Sequence, residues 1–208
     1  VRRMKISYVI TCHNEIDEME TLLLFLLEHK RKDDNIIILF DKNGDNNLWL
    51  KLLTYSDVNP TINLQRNSFN GDFAAWKNLA NSFADGEFII NLDADEMVNE
   101  DFIIWVPLII EHNKDIDLFW LSRENYVEGL TPKHVELWGW NVDNQKRINY
   151  PDLQSRIYRN SPEIKWEGKV HERIVGYKKE SNMLPSLYIT HKKTIERQEK
   201  QNQYYNTL

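Results

Sequence analysis

Short apolar runs alternate with amphipathic segments along the first half of the chain. The runs at residues 5–12, 35–40, 61–64 and 87–92 are dominated by aliphatic and aromatic side chains, as is typical of buried strands. The segments between them carry apolar residues three and four positions apart, the spacing of a helix with one buried face. Because neighbouring parallel strands need a helical crossover, this order predicts an α/β fold with an open, mostly parallel, Rossmann-like sheet flanked by helices.

The second half of the chain has a weaker pattern. An apolar run at residues 102–111 predicts a helix that Pro107 bends or breaks. Residues 123–150 show no period, so we interpret them as loops and short strands over one side of a crevice. Further strands are predicted at residues 117–122, 153–158, 169–175 and 187–190, of which 153–158 and 169–175 form a smaller antiparallel part, and a polar helical tail is predicted at residues 192–208.

Polar side chains follow three of the predicted parallel strands. Residues 13–15 (HNE) follow the first strand, Asp41 the second, and Asp93 and Asp95 the fourth. The carboxyl ends of parallel strands meet at one edge of a sheet, where ligands bind. In an extended chain, Asp93 and Asp95 would point to one side, where a divalent cation would relieve their repulsion. Alone the pair is a weak signal, because Asp is also common in turns.

Composition and charge narrow the choice of function. With 208 residues, 41% of them hydrophobic, the chain can bury one substantial core, and we predict a single domain over residues 1–208. The net charge of -6 argues against a nucleic-acid partner, whose phosphates attract basic surfaces. Short basic clusters such as Lys192-Lys193 are interpreted as solvated surface, with a peripheral membrane contact as the alternative.

The single cysteine and the lengths of the apolar runs bear on location. Cys12 allows no intrachain disulfide, and its place at the end of an apolar strand favours a buried thiol over a reactive one. The apolar runs are shorter than the about 20 residues of a membrane-spanning helix. The first residues also lack the pattern of a secretory signal peptide. These features predict a cytoplasmic protein.

The ends of the predicted strands and the segments after them read VITCHNE (residues 9–15), FDKNGD (40–45), GDFAAWKN (71–78) and NLDADE (91–96). These segments resemble the inverting nucleotide-sugar glycosyltransferases of family 2, which have the GT-A fold. Residues 166–172 (WEGKVHE) resemble the branch that includes bacterial lipopolysaccharide-core glucosyltransferases, and His191 resembles the C-terminal histidine that completes the metal site in many of these enzymes. Residues 42–44 depart from the usual acidic, Gly and Ser run, and Lys77 stands where Arg is commoner.

The resemblance implies a metal-dependent, inverting transfer of a sugar from a nucleoside-diphosphate donor, such as a UDP-sugar, to a hydroxyl of a carbohydrate or glycolipid acceptor. It implies that Mn²⁺ or Mg²⁺ is bound by Asp95 and His191, while Asp93 contacts the ribose or reaches the metal through water. Glu172 is the expected catalytic base. Residues 1–100 would form the nucleotide-binding half and residues 101–191 the acceptor-side half.

The same resemblance implies a set of donor and acceptor contacts. Asp41 would hydrogen-bond the base or the ribose. Lys77 and Arg156 could approach the diphosphate, although each could equally be a salt-bridge partner. The implied nucleotide-binding residues are Thr11, Asn14, Glu15, Asp41, Lys77, Asp93 and Ala94, and those toward the acceptor or phosphate are His171, Arg156, Gly168 and Trp166.

Plainer interpretations remain for the same residues. Glu172 could pair with Arg173 or Lys169 in an exposed hairpin, and His191 could be a surface histidine. A nucleotidyltransferase also combines an α/β sheet with metal-binding acids, but would usually carry a Gly-rich basic signature after the first strand. A non-catalytic sugar- or nucleotide-binding module is the third alternative, since the seven tryptophans suit both carbohydrate stacking and a buried core.

Overall fold

The computed structural model of the protein describes residues 4–205. Residues 1–3 lie outside the described part, as do residues 206–208, the last three of the predicted helical tail. The elements follow in the order β1 (Ile6–Cys12), α1 (Ile16–His29), β2 (Asn35–Asp41), α2 (Asn46–Val58), β3 (Ile62–Asn67), α3 (Phe73–Asn81), β4 (Phe88–Asp93), β5 (Glu96–Met97), α4 (Glu100–His112), β6 (Leu118–Glu128), α5 (Pro132–Trp138), β7 (Ile148–Arg159), β8 (Lys165–Glu167), β9 (Arg173–Val175), β10 (Glu180–Asn182), β11 (Tyr188–Thr194) and α6 (Ile195–Tyr205).

Four parallel strands form the first part of the main sheet, in the order β3-β2-β1-β4. Thr11 of β1 lies opposite Leu39 of β2 on one side and Asp93 of β4 on the other. The carboxyl ends of these strands therefore meet at one edge of the sheet, as the alternation of strands and helices predicts.

The sheet continues through β7, β6, β11 and β5, which run in mixed directions. β7 is antiparallel to both β4 and β6, and β11 is parallel to β6. The short β5 follows β4 directly in the chain but pairs with β11, where Glu96 lies opposite His191. The sheet is therefore curled, and the segment with Asp93 and Asp95 lies between its two parts. The predicted α/β fold, a mostly parallel sheet with a smaller antiparallel part, is confirmed.

Two hydrophobic cores cover the two faces of the sheet. Alternate residues of β1 and β2 belong to different cores: Ile10 and Ile38 pack with α1, α2 and α4, while Val9 and Ile37 pack with α3 and β8. Trp166 of β8 is part of the second core and is only 4% exposed. Near-continuous apolar strands are what burial on both faces requires.

Three predictions of local structure need correction. The predicted helix is present as α4, and Pro107 does not break it, because buried apolar residues before and after the proline hold both halves against the core. Residues 123–150 contain the end of β6, the start of β7 and loops beside the crevice, as predicted, but also the helix α5, which the absence of a period did not predict. Residues 169–172 form a loop, and only Arg173–Val175 is a strand.

Within residues 4–205, none of the helices combines the length and the apolarity that crossing a membrane requires.

Candidate active site

The carboxyl ends of β1, β2 and β4 open into a cavity of about 1250 Å³. Side chains of β6, β7, β11 and α6 form its other walls, together with the loop at residues 168–172. Most of the residues singled out from the sequence line this cavity, namely Thr11, Glu15, Asp41, Lys77, Asp93, Ala94, Asp95, Arg156, Trp166, His171, Glu172 and His191.

Asp93 is held by two cations. Its Oδ2 lies 2.5 Å from a terminal nitrogen of Arg156, and its Oδ1 lies 3.6 Å from Nζ of Lys77. Burial raises the pKa of Asp93, but the charges of Arg156 and Lys77 and the hydrogen bond from Arg156 outweigh it and hold this pKa well below its usual range. Asp93 is therefore an ionised carboxylate whose oxygens are already engaged by the chain.

Glu96, whose side chain is completely buried, contacts both Asp93 and Arg156. One of its oxygens accepts the backbone N–H of Asp93 at 2.9 Å. The other accepts hydrogen bonds from Arg156 at 2.8 Å and from Arg123 at 3.1 Å. Arg123 in turn donates to Asp152 at 2.9 Å. The network ties the end of β4 to β6 and β7, and so fixes the direction in which Asp93 points.

Asp95 and His191 form a second pair in the cavity wall. Nε2 of His191 lies 3.1 Å from Oδ2 of Asp95, and Nδ1 lies 3.0 Å from Oδ1 of Asn125. Both side chains stay slightly exposed to the cavity, at 11% for His191 and 12% for Asp95. Burial raises the pKa of Asp95, and the hydrogen bond and charge of His191 outweigh it, so that this pKa is lowered overall.

Asp95 and His191 could hold a divalent cation only together with further ligands, such as water or a bound substrate. Within residues 4–205, no group of three or more His, Cys, Asp or Glu side chains is arranged to hold a metal ion. Asp95 and His191 nevertheless supply a carboxylate and an imidazole side by side. Mg²⁺ and Mn²⁺ commonly take one or two protein ligands and fill the remaining positions with water and substrate phosphates. The pair could therefore hold a cation together with a phosphate-bearing substrate.

Glu172 stands close to the strand-end carboxylates. Its Oε1 lies 2.7 Å from Nζ of Lys77, the same ammonium group that approaches Asp93, and its side chain is 16% exposed. Lys77 is nearly buried, and its Nζ lies 4.5 Å from the centre of the Trp166 ring. Lys77 thus bridges the end of β4 and the loop after β8, and no surface pairing of Glu172 with Arg173 or Lys169 is found in the described chain.

The loop that carries Glu172 is held by α3. The amide group of Asn78 makes two hydrogen bonds to the backbone of Trp166, at 2.8 and 2.9 Å. The backbone N–H of Phe73 donates to the carbonyl of Lys169 at 3.1 Å. The segment at residues 71–78 therefore fixes the position of the loop at residues 168–172 across a long separation in sequence.

The remaining strand ends also line the cavity. Oδ1 of Asp41 accepts the backbone N–H groups of Asn43 at 3.1 Å and Phe69 at 3.3 Å, and its Oδ2 lies 3.0 Å from Nδ1 of His13. Glu15 accepts the backbone N–H groups of His13 at 2.8 Å and Asn14 at 3.0 Å. These carboxylates shape the turns after β1 and β2 as well as lining the cavity.

Two residues singled out from the sequence do not line the cavity. Asn14 is exposed and takes part through its backbone in the turn before α1. Gly168 has a φ of +103°, a left-handed conformation that favours glycine, and it opens the loop that leads to Glu172. Their contribution is to the shape of the two loops.

Some important residues were not assigned a role from the sequence. In the sequence, Glu96 stands out only as the third acid of the segment at residues 91–96 (NLDADE). Arg123, Lys193 and Arg197 also line the cavity, and Arg197 lies 3.3 Å from Asp95. The interpretation of Lys192-Lys193 as solvated surface is wrong for Lys193, which is partly buried in the cavity wall. Only the pairing of β11 with β5 and β6 brings these cations to the site.

The sequence profile described as glycosyl transferase family 2 matches residues 7–164. The chain belongs to glycosyltransferase family 2. A curated relative, the uncharacterized protein y4gI of Sinorhizobium fredii (strain NBRC 101917 / NGR234), is 25% identical to the chain over 159 residues. That match covers 72% of this chain and 17% of the relative.

Solved structures share the fold of this family 2 chain. S. aureus TarS 1-349 in complex with UDP-GlcNAc superimposes with a TM-score of 0.66 and 15% identity, over 91% of this chain and 58% of that one. The mannosyltransferase PcManGT from Pyrobaculum calidifontis, in complex with GDP-Man and Mn²⁺, gives a TM-score of 0.50 and 15% identity, over 59% of this chain and 36% of that one. The predicted GT-A fold is thereby confirmed, and the chain spans less than two thirds of the length of these proteins.

Proposed function

We propose that this chain transfers a sugar from a nucleoside-diphosphate donor, in the first place a UDP-sugar, to an acceptor hydroxyl with inversion at the anomeric carbon. The observation that carries the proposal is the approach of Lys77 to both Asp93 and Glu172, which brings a loop carboxylate from the second half of the chain beside the strand ends of the first. The complexes of TarS with UDP-GlcNAc and of PcManGT with GDP-Man support the class of donor.

The nucleotide would lie along the ends of β1, β2 and β4. Thr11, Glu15 and Ala94 line this part of the cavity, and Asp41 at the end of β2 is placed to accept hydrogen bonds from the base or the ribose. Asp93 would face the ribose. Because its oxygens are engaged by Arg156 and Lys77, we propose for it an orienting role rather than direct coordination of a metal.

Asp95 and His191 would hold Mn²⁺ or Mg²⁺. When bound, such a cation would offset the negative charge that gathers on the departing diphosphate. Asn125 orients the imidazole of His191 from the other side, as the outer partners of metal ligands commonly do. The Mn²⁺ in the PcManGT complex supports the choice of metal.

Glu172 would serve as the general base. In an inverting displacement, the acceptor oxygen forms its bond to the anomeric carbon while the bond from that carbon to the diphosphate oxygen breaks. The electron pair of the broken bond leaves with the nucleoside diphosphate, and the hydroxyl proton passes to the Glu172 carboxylate. Lys77 fixes the position of that carboxylate through the 2.7 Å ion pair.

The acceptor would enter beside the loop at residues 168–172. His171 lines the cavity there, whereas Trp166 is a buried support below Lys77. We propose a carbohydrate or glycolipid acceptor, in line with the resemblance of this loop to the lipopolysaccharide-core glucosyltransferase branch. A cytoplasmic location remains part of the proposal, because the one cysteine allows no intrachain disulfide.

A panel of nucleotide sugars tests this function. The protein should release a nucleoside diphosphate slowly from one donor in the presence of Mn²⁺, and a chelator should stop the release. Asp95→Asn should lose this activity, while Asp101→Asn, an exposed change in the first turn of α4, should keep it. Metal-independent binding of a donor that is never turned over would instead indicate a non-catalytic binding module, and pyrophosphate release from a nucleoside triphosphate would indicate a nucleotidyltransferase.

A further inference from the structure

The partly buried cations in the cavity wall differ in how their charges are compensated. Lys77, Arg123 and Arg156 each form ion pairs with carboxylates of the site. Arg197 is shared by three carboxylates, at 2.9 to 3.4 Å. In residues 4–205, Lys193 forms no ion pair, and its ammonium group hydrogen-bonds the neutral side chain of Gln201.

The direction of Lys193 follows from the strand that carries it. Residues two apart on a strand point to the same side and are separated by about 7 Å. His191 of β11 faces Asp95, so Lys193 faces that side as well, and both line the cavity. Lys192 points to the opposite side of β11, is exposed, and does not line the cavity.

The geometry points to Lys193 as a binding residue for the diphosphate of the donor. This assignment rests on the proposed function, since it takes the ligand to be a nucleoside diphosphate. Two carboxylates, Asp93 and Asp95, would repel an anion that entered next to them, and the other partly buried cations of the wall form ion pairs with acids of the chain. Arg173 and Lys200 also line the cavity, but both are exposed. Lys193 therefore supplies a partly buried positive charge that is not paired with a carboxylate of the described residues, and lysine binds phosphate as a compact point charge.

Lys193 is also within reach of a phosphate source other than the diphosphate of the donor. Lys193 also borders a neighbouring cavity of about 1350 Å³, which shares Tyr126, Val127, Trp140 and Arg197 with the main one. A phosphate group on an acceptor could reach Lys193 from that side. The position beside His191 and Asp95 favours the donor, and the two sources predict different effects on the binding of a nucleoside diphosphate.

Calorimetric titration of Lys193→Met and Lys192→Met tests the assignment, with UDP, GDP, pyrophosphate, inorganic phosphate and the nucleosides uridine and guanosine as probes in the presence of Mg²⁺. Methionine keeps the apolar stem of Lys193 in place, and thermal denaturation verifies that both variants fold. Lys193→Met should weaken the binding of the preferred nucleoside diphosphate and of pyrophosphate at least about tenfold, the loss expected for one charge-assisted hydrogen bond. Its nucleoside affinity should not change.

Two variants serve as controls for this titration. Lys192 borders the neighbouring cavity but not the main one, so Lys192→Met should bind the nucleoside diphosphates, pyrophosphate and the nucleosides as the parent protein does. Lys193→Arg should recover part of the lost affinity. If Lys193→Met binds the nucleoside diphosphate as tightly as the parent, the assignment is wrong, and a selective loss of inorganic phosphate binding would point to the acceptor side. If the parent protein binds neither UDP nor GDP, the proposed donor is wrong, and the pyrophosphate titration still decides whether Lys193 binds a diphosphate.

Discussion

At the end of β4, two neighbouring acids of one short segment have different surroundings. Asp93 is engaged by Arg156 and Lys77 and is 34% exposed, whereas Asp95 faces His191, has Arg197 at 3.3 Å and is 12% exposed. An imidazole beside a carboxylate offers a divalent cation two ligands at one place, which Arg156 and Lys77 do not offer beside Asp93. The proposed division of roles between the two acids rests on this difference, and the next three expectations concern single residues of the site.

Glu172→Gln removes the proposed base while keeping the shape of the side chain. We expect the rate of sugar transfer to fall about 10²- to 10⁴-fold, with little change in the affinity for the nucleoside diphosphate. Steady-state kinetics and titration with the nucleotide measure the two quantities. Glu167→Gln is the matched control, because Glu167 lies on the same hairpin but is 51% exposed and pairs with Lys165. Equal activity of the two variants would remove Glu172 from the mechanism.

Glu96→Gln should reduce the stability of the fold. It removes a completely buried charge that neutralises Arg156 and Arg123, and breaking such buried pairs costs about 3–5 kcal/mol. The free energy of unfolding can be measured by urea denaturation. Glu87→Gln, an exposed change just before β4, should alter it by less than about 0.5 kcal/mol. A loss of similar size in both variants would contradict the anchoring role of Glu96.

Asp93 should make the folded state sensitive to acid. Arg156 and Lys77 hold its pKa well below the ordinary value of about 3.9, so the unfolded chain takes up the proton at a higher pH than the folded protein does. The resulting stabilisation is complete above about pH 5 and is lost as the pH falls through the folded-state pKa. Urea denaturation between about pH 6 and pH 3 should show a smaller loss of stability in Asp93→Asn than in the parent. Parallel losses would show that Asp93 does not carry this effect.

At the scale of elements, the hairpin of β8 and β9 places the proposed base. Its strands pair Trp166 with Ile174, and the loop between them carries Glu172. The hairpin is fixed at one end by Asn78 of α3 and at the other by the close packing of Gly176 against residue Glu163. The contacts at both ends of the hairpin therefore fix the position of the loop, although the loop contains no regular secondary structure.

Gly176→Ala should disrupt this hairpin. The φ of Gly176 is +87°, and an added Cβ would lie 1.7 Å from the carbonyl oxygen of Glu163, so the backbone must move. We expect a loss of about 3 kcal/mol or more, together with a loss of transfer activity. Gly139→Ala has a φ of +64° but meets nothing within 4 Å, so it should cost only about 1–2 kcal/mol and leave activity intact. Thermal denaturation and a transfer assay compare the pair.

The sequence predicts the parallel half of the sheet well, because the signal there is local. Asp41 and Asp93 each follow an apolar run, and both were placed correctly at one edge of the sheet. The positions of Glu96 and Lys193 could not be predicted, because that of Glu96 depends on the pairing of β5 with β11 and that of Lys193 on the pairing of β11 with β6, strands that are far apart in the chain. For the same reason Lys192-Lys193 has the pattern of a surface cluster until the strand that carries it is placed.

Over the whole molecule, the curled sheet joins the two functions that the proposal needs. The parallel strands β1, β2 and β4 would provide the wall for a nucleotide, and the second half of the chain brings His191, Lys193 and the loop of Glu172 to the same cavity. The family 2 assignment and the shared fold are compatible with this proposal. We propose that one cavity holds the donor, the metal and the base together.

A crystal structure of the protein with Mn²⁺ and a non-hydrolysable analogue of the preferred nucleotide sugar would show whether one cavity holds all three. We expect the nucleotide along the ends of β1, β2 and β4, Mn²⁺ between the diphosphate and the side chains of Asp95 and His191, and Glu172 on the face of the sugar opposite the diphosphate. A nucleotide bound outside this cavity, or a Glu172 carboxylate on the same face as the leaving diphosphate, would contradict this proposal.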